Sequence, residues 1–152
     1  MSGQKTVQKP SACFCVNVRR ASRAITKIYD QTMAPSGLKV TQYSLLNNID
    51  AHGPLNISAL AKLLTLDRTT LVRNLKPLEA AGFIENRPSP NPRERQVSIT
   101  NHGRQTVALA QPLWKQAQRR MSQHIGAENL GMLGHLAGVL EGLTTAQDEL
   151  IA

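Results

Sequence analysis

The chain has 152 residues, 18 Lys and Arg against 10 Asp and Glu, two cysteines, and a 41% hydrophobic content. That length fits a single domain, or one domain with an appended oligomerisation element, and the apolar fraction argues against wholesale disorder. No apolar run approaches the ~18 residues of a membrane span, and the polar stretch Met1–Pro10 lacks the apolar core of a secretory signal. Two cysteines one residue apart cannot staple a secreted fold, so a reducing, cytoplasmic setting is expected. Charge is unevenly spread. Residues 1–120 hold all 18 basic residues and six of the acids, whereas 121–152 hold four acids and no Lys or Arg. A basic body with a non-basic tail implies a polyanion-binding surface and a separate element for another task.

In chain order, a flexible N-terminus over 1–10 precedes a helix that Ser11 is placed to cap. Its apolar positions are Phe14, Val18, Ala21, Ile25 and Ile28, and residues 34–37 end it. Thr41 is the expected cap of a second helix with Tyr43, Leu45, Leu46 and Ile49 inward, stopped by His52-Gly53-Pro54. A short third helix buries Ile57, Leu60, Ala61 and Leu64. After the tight connection Thr65-Leu66, Asp67 caps a fourth helix, with Leu71, Leu75 and Leu78 inward and Gly82 as its end. Residues 83–87 and 95–99 then read as two short strands around a proline-rich tip, a two-stranded hairpin that must lean on the helices. A long helix follows from Thr100 or Asn101 to about Ile125, with Pro112 expected to kink it, and a last helix runs from Glu128 toward Leu150.

Helix, tight turn, helix and basic hairpin is the order of a winged helix-turn-helix, whose second helix enters the DNA major groove. The fold expected is mainly α with a small two-stranded wing, joined to a helical dimerisation element. Opposite the leucine stripe the fourth helix offers Arg68, Thr69, Thr70, Arg73, Asn74 and Lys76, a set suited to base edges and phosphates. After its cap it carries no acid until Glu79. The hairpin carries Arg87, Arg93 and Arg95, and Pro88, Pro90 and Pro92 lower the ordering cost of presenting them in a narrow minor groove. Pro77 costs a helix interior about 3 kcal/mol and should bend the fourth helix beyond its DNA-facing turns.

These residues resemble the MarR-type winged-helix regulators over most of the chain. The specific segments are GLKVTQYSLLNNI, ISALAKLLTLDRTTLVRNLKPLEAAGFIENR and PRERQVSITNHGR. The resemblance implies a homodimer that reads an inverted-repeat operator in double-stranded DNA as a transcriptional regulator, more often a repressor, released by an effector. It also implies an N-terminal dimerisation helix over 11–40, a DNA-binding domain over 41–100, and C-terminal dimerisation helices over 101–152. Asn91 stands two positions before Arg93, where the family usually carries Asp. Independently, Leu130, Leu133, Ala137, Leu140 and Thr144 recur at seam spacing beside Gly134, Gly138 and Gly142. Glycine costs a helix about 1 kcal/mol against alanine, so that stripe implies close approach of another helix.

Cys13 and Cys15, about 200° apart on a helix, would face opposite ways and could not pair without unwinding. Some hydroperoxide-sensing members of the family carry a reactive cysteine near the start of the first helix, polarised by two tyrosines. Cys15 takes that position and Tyr29 one tyrosine's, while Arg19 occupies the other's. Within one helix Cys15 and Tyr29 stand about 21 Å apart, so contact would cross the dimer. A free cysteine is more commonly a small buried hydrophobe, unreactive there. Tyr43 and Trp114 could line a pocket for a small aromatic or anionic effector. No nucleophile–base set, cofactor motif or zinc spacing of histidines appears, so the chain reads as no enzyme and needs no metal. Two further readings remain open: a thiol redox protein using Cys13 and Cys15, and a non-specific nucleoid-associated protein.

Overall fold

The structure, a computed structural model, describes residues 9–89, 91 and 94–151, with side chains as far as residue 143. Its elements are α1 (Phe14–Met33), a 3-10 turn (Ala34–Ser36), α2 (Val40–His52), β1 (Leu55–Asn56) and α3 (Ile57–Leu63). They continue with α4 (Arg68–Ala80), β2 (Ile84–Pro88), β3 (Arg95–Ile99), α5 (Asn101–Ile125) and α6 (Ala127–Ile151). The chain divides into two compact units, through Trp114 and from Lys115 onward.

The core of the first unit is aliphatic. Met33, Leu46, Ile49, Leu60, Leu71, Leu78 and Val97 are fully buried, drawn from α1 to α4 and β3. Leu46, Ile49, Leu60, Leu71 and Leu78 occupy inward positions that the sequence periodicity assigns to α2, α3 and α4. Ile57 and Leu64, expected to be buried with Leu60, are instead half-buried at the two ends of α3. In the second unit, Ala117 and Met121 of α5 are buried, whereas residues 131–143 of α6 are exposed throughout.

Two helix starts differ from the sequence expectation. Helix α1 begins after Cys13, with no side-chain cap bond. The Ser11 hydroxyl instead accepts the Cys13 N–H at 3.1 Å ahead of the helix, while Asn17 accepts from the Ser11 N–H and donates to the Ser11 carbonyl, each at 2.8 Å. Helix α2 begins after Lys39, so Thr41 lies inside its first turn. The Lys39 N–H donates to Gln42 Oε1 and the Val40 N–H to Asp30 Oδ1, and the Tyr43 N–H that a capping Thr41 would hold donates to the Lys39 carbonyl at 2.9 Å.

The expected two-stranded wing is part of a three-stranded antiparallel sheet in the order β1-β3-β2. Leu55 pairs with Val97 and Asn56 with Gln96, while β2 and β3 pair from Ile84–Ile99 to Pro88–Arg95. The two residues that lead into α3 thus close the inner edge of β3, giving the hairpin the third strand that stability in water requires. A two-residue strand is too short to show alternation, which is why periodicity did not disclose it.

Thr100 starts α5 as expected: its Oγ1 accepts the Gly103 N–H at 3.0 Å and donates to the Gly82 carbonyl at 2.7 Å. Helices α4 and α5 continue through Pro77 and Pro112, so neither proline ends its helix.

Candidate nucleic-acid interface

The pair α3–α4 is fixed by its caps and by the turn between them. Asn56 Oδ1 accepts the Ala59 N–H at 2.7 Å to start α3. At its end the Thr65 N–H reaches the Lys62 carbonyl, and the Leu66 N–H reaches the Ala61 carbonyl at 2.9 Å. Those two bonds form a Schellman closure, with Thr65 at φ 52° in the left-handed position that glycine ordinarily fills. Asp67 then caps α4: its Oδ1 accepts the Thr70 N–H at 2.8 Å and its Oδ2 the Thr70 hydroxyl at 2.6 Å. The Thr70 hydroxyl and amide bonds hold the Asp67 carboxyl below its ordinary value. At the far end, Gly82 at φ 71° closes the helix through the Phe83 N–H to the Leu78 carbonyl.

With Leu71, Leu75 and Leu78 buried, the outward face of α4 presents Thr69, Arg73 and Lys76, all exposed. Arg68 and Asn74 are exposed on its two flanks. Thr70 is half-buried and its hydroxyl donates to Asp67, which removes that proton from base reading. The sequence reading passed over Val72, which is 37% exposed between Arg68 and Lys76. The available signal was its position outside the leucine stripe.

Between α4 and the sheet runs an open groove of about 500 Å³ whose walls include Arg68, Val72, Lys76, Asn86 and Arg95. Glu79 and Glu94 also line it, each with a polar partner. Glu79 accepts from Asn86 Nδ2, and Glu94 Oε2 accepts from Asn56 Nδ2 at 3.1 Å. Those bonds tie the end of α4 to β2 and the wing to the start of α3. On the wing Arg87 is paired with Glu85 at 2.7 Å, so part of its charge is answered within the strand. Arg95 is exposed, and Arg93 lies outside the described residues, as do Pro90 and Pro92.

The residues considered for sensing are not gathered in one place. Cys13 and Cys15 are both exposed, which corrects the expectation of buried thiols. Cys13 is also outside the helix, in extended backbone, so the 200° separation along an intact helix does not apply to the pair. Cys15 and Arg19 are exposed one turn apart on α1, whereas Tyr29 is buried near the other end of the same helix. Tyr43 and Trp114 stack with ring centroids 5.9 Å apart at 29°. Burial pushes the Tyr29 and Tyr43 phenols above their ordinary value. Among the described residues no cluster of His, Cys, Asp and Glu is arranged to hold a metal, and no helix is long and apolar enough to cross a membrane.

The sequence model of the MarR family matches residues 38–93, from the approach to α2 through the wing tip. Among solved structures, the chain is similar to the transcriptional regulator MosR of M. tuberculosis in complex with DNA. That likeness has 30% identity and a TM-score of 0.79, and covers 88% of this chain and 97% of that one. It is also similar to the transcriptional repressor CouR bound to a 23-mer DNA duplex, at 25% identity and TM-score 0.75 over 88% and 99% of the two chains. A curated relative, the HTH-type transcriptional regulator YwoH of Bacillus subtilis, is 28% identical over 83 residues, 55% of this chain. The aligned part spans 61% of that relative's length. Helix pair, wing, motif and whole-chain likeness coincide on the same residues, and the chain belongs to the MarR family.

Proposed function

We propose that the protein is a homodimeric, sequence-specific DNA-binding transcriptional regulator, a repressor released from an inverted-repeat operator by a small-molecule effector. The observation that carries this reading is the outward face of α4, where Thr69, Arg73 and Lys76 stand free of the core on a helix fixed at both ends. Arg73 and Asn74 read base edges, Arg68 and Lys76 hold phosphates, and Arg87, Arg93 and Arg95 follow the adjacent minor groove. MosR and CouR, both similar to this chain, are described in complex with DNA. On this reading the protein acts in the cytoplasm, at the nucleoid.

The dimer is supported by the apolar side chains the single chain leaves in water. Met132, Leu133, Leu136, Val139, Leu140 and Leu143 of α6 are all exposed, as is Phe14 of α1. A Cβ added at Gly134, Gly138 or Gly142 would meet nothing within 4 Å, so within one chain that stripe is open to another helix. Two recognition helices related by two-fold symmetry then meet half-sites about 34 Å apart. Selection of bound DNA from a random pool, repeated with candidate aromatic and anionic effectors, tests operator and release together.

One observation favours a second reading, release on oxidation of Cys15: its thiol is exposed at the start of α1, with Arg19 one turn along. Prompt release of bound DNA by micromolar organic hydroperoxide, abolished in Cys15→Ser, would establish the thiol switch over the small-molecule one.

A further inference from the structure

Val72 is the one exposed aliphatic residue in the first two turns of α4. A lone exposed valine on a protein surface is ordinary. This one is distinguished by its surroundings. Arg68 and Lys76 stand one turn before and one turn after it on the same row, and Arg73 follows it directly. All three cations are exposed, and Arg68, Val72 and Lys76 share one wall of the groove between α4 and the sheet. A branched apolar side chain held inside a cationic row would rest against an anionic partner that also presents an apolar group. In the major groove of DNA that group is the C5 methyl of thymine, which no other base carries.

We infer that Val72 is a specificity-determining residue that selects thymine by packing its methyls on the thymine C5 methyl. The inference rests on reading α4 as the recognition helix and adds a base identity to it. Arg68 and Lys76 bring the backbone close and carry no sequence information of their own, while Val72 discriminates at one position per half-site. Exclusion of one methyl from water corresponds to about a fourfold change in affinity.

The test uses the full-length protein and the operator selected from a random pool. Each thymine of one half-site is replaced in turn by deoxyuridine, which removes only the methyl group. Binding is measured for the native protein and for Val72→Ala, with circular dichroism verifying that the variant is folded. The expected result is one thymine at which deoxyuridine weakens the native protein about fourfold and leaves Val72→Ala unchanged, with equal salt dependence for both proteins. Losses that are the same in both proteins at every thymine would overturn the assignment, as would a half-site in which no methyl matters. Failure to enrich any sequence would overturn the parent reading of α4 itself, and this inference with it.

Discussion

Asp67 holds Thr70 with both carboxylate oxygens, one on the backbone N–H at 2.8 Å and one on the hydroxyl at 2.6 Å. The pair fixes the first turn of α4, the turn that carries Arg68 and Thr69. The Asp67 carboxyl lies below its ordinary value because Thr70 donates to the charged form. Its contribution is therefore complete above the carboxylate's ordinary range and is lost as pH falls through the lowered value. Acid unfolding of Asp67→Asn should show a shallower loss over that window than the native protein. Thr70→Val should lower thermal stability while leaving the preferred DNA sequence unchanged, because its hydroxyl proton is already given to Asp67.

Thr65 sets the angle between α3 and α4 with a β-branched residue at φ 52°. Left-handed backbone costs such a residue roughly 1–2 kcal/mol, whereas asparagine adopts it readily. Thr65→Asn should raise the free energy of unfolding by about 1 kcal/mol, read from urea denaturation, with no change in DNA preference. A decrease would show that the Thr65 side chain contributes more than its backbone strain costs.

Gly103 is required by space. A Cβ there would collide with the Phe83 carbonyl oxygen and come within 2.7 Å of Ile99 Cγ1. This close approach lets the Thr100 hydroxyl join the start of α5 to the Gly82 carbonyl. Gly103→Ala should destabilise the protein by about 1–3 kcal/mol, the usual cost of overpacking, as measured by denaturant midpoint.

Much of this was legible in the sequence, for identifiable reasons. The leucines of α4, the Asp67 cap and the Gly82 end are strong local signals, and each stands where periodicity and capping placed it. Ser11 and Thr41 were poor guides because Asn17, Gln42 and Asp30 supply their side-chain oxygens to the same stretches of backbone. Asn17 and Asp30 act from six and ten residues away, beyond the reach of a local capping rule. The pairing of Leu55-Asn56 with β3 is likewise non-local. At the candidate site, the leucine periodicity placed Arg68, Arg73 and Lys76 away from the core of α4, and all three are exposed. Periodicity could not show that Thr70 and Arg87 are already bound to carboxylates or that Val72 is left among the cations.

Readers and anchors on the DNA surface should separate in binding experiments. Arg73→Ala should cost about 1–3 kcal/mol on the preferred sequence and relax preference at one position. Arg95→Ala should weaken all sequences alike and make the dependence of log K on log salt less negative by about one unit. Equal loss of sequence preference from both substitutions would contradict this division of labour.

On the proposed function, α4 reads DNA sequence as one of a two-fold pair. Selection from a random duplex pool by the full-length protein, followed by sequencing of the bound fraction, tests this. The expected result is enrichment of an inverted repeat whose half-site centres lie about one helical turn, or ~34 Å, apart, with that enrichment reduced in Arg73→Ala. A bound pool with no common sequence, or a single unrepeated half-site bound by a monomer, would contradict it.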